Sequence, residues 1–167
     1  MVIRLKRLEN GVVLTLLRDA AAPAVQRSGH GGFFAFHDLL HYAVETTLGL
    51  QQAFYGLMAA GRDFETFGDR SDPRYRAMPA EALFAEQLVD VLARRLGDPA
   101  RRDADLWELW VGEVNDESAT VLAGTEFADR RLERDELAEI ARRFDVLAQR
   151  WAETPLGGHL ELLWPGV

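Results

Sequence analysis

His37 and His41 stand four residues apart, and Glu45 follows after four more. An α-helix turns about 100° per residue, so these three side chains form one column along a single flank. Imidazole nitrogen and carboxylate oxygen both ligate a divalent ion such as zinc, at about 2.0–2.2 Å. Two histidines at i and i+4 can reach the same ion. The whole column cannot, because its ends are separated by about 12 Å of helix rise. The expected site therefore uses His37 with His41, or His41 with Glu45, and takes a further ligand from elsewhere. His30, His159, Glu65 and Asp63 are the candidates for that ligand. Asp38 is the candidate catalytic carboxylate, placed further toward solvent than the column. The same residues also suit a structural role. Asp38 in a first helical turn meets the helix dipole favourably, and a His41–Glu45 pair adds a few tenths of a kcal/mol without any ion. A third reading is a half-buried His41 held by a carboxylate and acting as a base without metal.

The run His37-Asp38-Leu39-Leu40-His41 resembles the His-Glu-x-x-His helix of zinc peptidases, with Asp38 in place of the glutamate. In that family the glutamate is a general base acting on metal-bound water, so the resemblance implies that role for Asp38, whose side chain is one methylene shorter. The likeness spans five residues, and no further peptidase motif accompanies it. The longer stretch from His37 to Glu45, reading HDLLHYAVE, is similar to a segment of small bacterial proteins of roughly this length. That resemblance implies a bacterial protein and brings no function with it.

A helix must carry the column. The pattern begins near Phe34 or Phe36 and runs to about Leu48, where Gly49 stops it. Phe36, Leu39, Leu40, Ala43, Val44 and Thr47 gather on its apolar side, which leaves the column at the flank, where a cleft would form. Before it, Ser28-Gly29-His30-Gly31-Gly32 reads as a flexible loop. It lacks the Walker ending and the dinucleotide glycine spacing.

The remaining elements frame this helix. Residues 2–8 alternate apolar and basic, Asn10-Gly11 signals a turn, and Val12–Leu17 returns, which predicts an N-terminal hairpin. Val25–Arg27 is a candidate third strand, and His159–Trp164 a last one. A second helix is expected near Leu50–Ala60 and a third from Pro79 to Leu96, with a loop over 62–78 between them. A long helix over Glu133–Glu153 carries the stripe Leu137, Ile140, Phe144, Leu147 and Trp151. Residues 103–127 read as helix, strand or loop. Strands at both chain ends with helices between them predict an α+β fold in a single domain over 1–167. Its antiparallel sheet has three or four strands, the hairpin plus the C-terminal strand, packed by four or five helices.

Composition narrows the function classes. The 167 residues carry a net charge of -8 and no cysteine, which excludes disulfides, thiolate ligands and a cysteine nucleophile. Arginines interleave with acids, as in Asp129–Asp135, so the basic patch that nucleic acid requires is missing. The charge also disfavours an anionic membrane surface. No run is long and apolar enough to span a bilayer, and the N-terminal alternation lacks a signal peptide's apolar core. The expected location is the cytoplasm.

The leading expectation is a structural or protein-interaction domain. A homodimer is one form of it, with the long-helix stripe as a candidate face. The alternatives are a metal-binding protein or metal-dependent hydrolase on His37 and His41, and a small-ligand site in an aromatic pocket beside His41 that includes Tyr42. Phe33, Phe34, Phe36, Phe54, Tyr55 and the tryptophans are expected to be core unless some line that pocket.

Overall fold

The computed structural model describes residues 1–19, 21–29, 31–68, 73, 77–96 and 107–165. Within these, strands β1 (Val2–Leu8), β2 (Gly11–Leu17), β3 (Ala24–Ser28) and β4 (His159–Leu163) form one sheet in the order β3-β2-β1-β4. Every pairing is antiparallel. The two chain ends thus meet in adjacent strands, and the α+β expectation holds with four strands.

Strand periodicity decides which face is covered. Ile3 pairs with Leu16 and Leu162, and Leu5 with Leu14 and Leu160, so all six turn to one buried face. Arg4 turns to the other face and donates from Nε to the Glu161 carboxylate at 2.7 Å. The hairpin turns through Glu9-Asn10, and Gly11 already pairs with Leu8. A Cβ at Gly11 would stand 2.4 Å from the Ser28 carbonyl oxygen, so close approach of β3 is what requires the glycine.

Among the described residues the helices of six residues or more are α1 (Gly31–Leu48), α2 (Phe54–Ala59), α3 (Ala80–Leu96), α4 (Trp107–Val121) and α5 (Arg134–Glu153). A single helical turn at Glu65–Gly68 lies within the expected loop. The helix in the ambiguous region is α4; residues 103–106 lie outside the described residues. The long helix starts on a capping box between Glu133 and Glu136.

Helix α1 lies on β1 and β2, and α3 and α5 pack against α1. Its apolar side buries Ala35, Leu39, Leu40, Ala43 and Val44. The α5 stripe from Leu137 to Trp151, the candidate dimer face, is likewise buried within the chain. Its main neighbour is α1. Helix α1 starts earlier than its apolar pattern suggests. Gly31 and Gly32 form its first turn despite their low helix propensity.

Candidate metal centre

Packing on both sides of α1 turns its polar flank inward. His41 is 2% exposed and Glu45 0%, with α2 close on this side. The expected cleft edge is therefore a buried seam. Asp38 is half-buried rather than set toward solvent. Tyr55, at the start of α2, donates its hydroxyl to the Asp38 backbone carbonyl at 3.1 Å and so ties α2 to the first turns of α1.

Along this seam His41 is held at both ring nitrogens. Nδ1 lies 3.1 Å from Glu45 Oε1, one turn further along α1. Nε2 lies 3.3 Å from Glu86 Oε2, which reaches across from α3. Glu45 also accepts the backbone N–H of Tyr55 at 2.9 Å, so both of its oxygens are engaged. The His37 ring packs edge-on against His41, with centroids 4.7 Å apart and planes at 63°. Ligand atoms of His37, His41 and Glu86 all lie within 4.8 Å of one another.

These distances bear on what the cluster can hold. Ligand bonds of about 2.0–2.1 Å at tetrahedral angles place donor atoms about 3.3–3.4 Å apart. The His41–Glu86 separation of 3.3 Å already matches that edge. His37 and Glu86 are half-buried, while His41 is buried and held at both ring nitrogens. Glu45 completes the pattern in which a metal-bound histidine passes its other ring N–H to a carboxylate.

Electrostatics separate the two histidines. Burial works against a charged His41, but hydrogen bonds and charge from Glu45 and Glu86 outweigh it and raise its pKa to about 10. Burial and the neighbouring His41 lower His37 to about 4, which favours the neutral imidazole, the form that can ligate. Burial raises the Asp38 carboxyl to about 7, against the opposing charge of His41.

The structure corrects several expectations. Of the two expected pairings, His41 with Glu45 is a hydrogen-bonded pair at Nδ1, on the ring edge away from Glu86. Among the described residues the third group is Glu86, not Glu65, Asp63 or His159. Glu65 is exposed at the start of the helical turn, Asp63 sits 3.6 Å from Arg18, and His159 lies on β4, 3.7 Å from Glu161. His30 lies outside the described residues. Tyr42 is engaged by β4 and the core instead of a pocket wall beside His41: its hydroxyl donates to the Leu163 carbonyl of β4 at 2.8 Å, and its ring meets Tyr55 and Trp164. Tyr55, Trp110, Trp151 and Trp164 are core as expected, whereas Phe33, Phe34 and Phe36 are exposed. Phe54 packs against the His41 ring with centroids 5.4 Å apart.

Glu86 was the residue sequence reasoning missed. Its signal was present: on α3 it falls beside Ala82, Ala85 and Val89, a short-side-chain arc that is buried. A carboxylate on such an arc reaches a neighbouring helix instead of water. A cavity of about 410 Å³, lined in part by Met1, Arg18, Asp19, Gln51 and Trp164, opens elsewhere and includes none of these groups.

No family model matches the chain, and neither does any curated protein or solved structure.

Proposed function

We propose that this chain is a metal-binding protein whose α1–α3 seam holds a divalent ion of the zinc class. The ligands are His37, His41 and Glu86, and Glu45 orients His41. The observation that carries this reading is the two-sided hold on the His41 ring: Glu45 at Nδ1 and Glu86 at Nε2. A carboxylate accepting from Nδ1 leaves Nε2 as the nitrogen that faces the ion. Proton and metal compete for that nitrogen, so an imidazolium between two carboxylates occupies the place when no ion is bound.

A hydrolytic role is the second reading. Two histidines and one carboxylate are one of the protein donor sets of catalytic zinc sites, which keep a fourth position for water. Asp38 stands next to His37 as the candidate base. In that case Asp38→Asn abolishes turnover of ester or amide substrates and leaves zinc content unchanged.

Elemental analysis of the purified chain after zinc loading and desalting tests the binding reading. About one zinc per chain is expected, lost in His41→Ala and in Glu86→Ala, with folding monitored by circular dichroism. A folded wild-type chain that retains no zinc, manganese or iron overturns it, and the cluster is then a structural ion network within an interaction domain.

A further inference from the structure

We infer that the metal centre accepts a small molecule joining an oxygen donor to a flat apolar group, such as an aromatic carboxylate or amide; this rests on the metal-binding reading above. The approach to the ion follows from burial. The His41 side chain is 3% exposed and closes the inner side, whereas that of Glu86 is 37% exposed, so a fourth ligand enters from the His37–Glu86 side.

That side carries exposed aromatic rings. Phe33 stacks on His37 with centroids 6.0 Å apart and planes at 28°, yet it is 65% exposed. Phe34 meets Phe33 edge-on at 5.6 Å and is also exposed. Large adjacent apolar side chains left in water mark binding surfaces more often than scattered single ones do. The two features are continuous, since one face of Phe33 covers a metal ligand while the rest of the ring is open. An apolar wall beside a few directed polar groups is the usual make-up of a small-molecule site. The ion's two positive charges are matched by Glu86 and Glu45, so coordination and ring contact select the ligand more than net charge does.

Two zinc-directed probes that differ only in their apolar part separate these contributions. Benzohydroxamate and acetohydroxamate are titrated against the zinc-loaded full chain, with zinc content measured on the same samples. We expect benzohydroxamate to bind about tenfold more tightly, as an aromatic contact of about 1.4 kcal/mol gives. In Phe33→Ala the ratio of the two affinities falls toward one. Phe33 is exposed, so its truncation leaves the core intact. Zinc bound with equal affinity for both probes, or a preference that survives Phe33→Ala and Phe34→Ala, overturns this inference and leaves the metal centre standing. A wild-type chain that takes up no zinc overturns the metal reading itself, and this inference with it.

Discussion

Glu45 sets which nitrogen of His41 is available. Its Oε1 takes Nδ1, and its Oε2 takes the Tyr55 N–H, so it cannot rotate away without losing both bonds. Glu45→Gln keeps the size but weakens the acceptor, and outer-sphere carboxylates of this kind are worth about 10–100-fold in metal affinity. We expect that loss in competition with a chromophoric chelator. Glu86→Gln alters a proposed direct ligand and is expected to cost more than Glu45→Gln in the same assay. Equal zinc affinity in wild type and Glu86→Gln would sink the ligand assignment. Affinity in every variant that keeps His41 should weaken as pH falls, because protons compete for the imidazoles.

At the scale of elements, the same carboxylate of Glu45 serves the start of α2. Backbone N–H groups of Tyr55 and Gly56 point at it, so a side chain from α1 caps a helix of only six residues. The chain then folds so tightly that a Cβ at Gly56 would lie 2.0 Å from the Gln51 carbonyl oxygen. Gly56→Ala should destabilise the protein by about 1–3 kcal/mol, the usual cost of overpacking, measured by urea unfolding. An unchanged midpoint would contradict this tight approach. On α5, hydrogen bonds from Arg142 and Arg143 hold the Glu139 carboxyl at about 2 instead of near 4.5. A depressed carboxylate pKa contributes stability above the unfolded value, and that contribution is lost as pH falls from about 4.5 toward 2. An NMR titration of the Glu139 side chain should give a midpoint well below 4. Arg143 also donates to Thr46 at 3.1 Å, so this charged group joins α5 to α1.

For the whole molecule, the proposed ion joins α1 to α3, two helices separated in the chain by α2 and the turn at Glu65–Gly68. An ion that binds the folded state alone stabilises it by about 2.7 kcal/mol at a hundredfold excess over Kd. In a chain of this size that is about 5–10 °C in Tm. Calorimetry should show this rise with zinc, its reversal with chelator, and no rise in His41→Ala. The far side of the fold is closed differently. Arg7 of β1 donates to the Ala152 and Thr154 carbonyls at the end of α5, at 3.1 and 2.9 Å, where a cation also suits the helix dipole. No helix among the described residues is long and apolar enough to cross a membrane.

Local patterns determined much of this protein. Alternation and the Asn10-Gly11 signal specified the hairpin, the stripe of Leu137 to Trp151 specified α5, and i, i+4 spacing placed His37, His41 and Glu45 in one column. Each depends on neighbours within a turn or a pleat, which sequence records directly. Tertiary structure decided what the column faces. The depth of His41, the diversion of Glu45 to Nδ1 and to α2, and the arrival of Glu86 depend on how α2 and α3 dock on α1. Docking sums many weak apolar contacts between distant segments, and no single spacing encodes that sum.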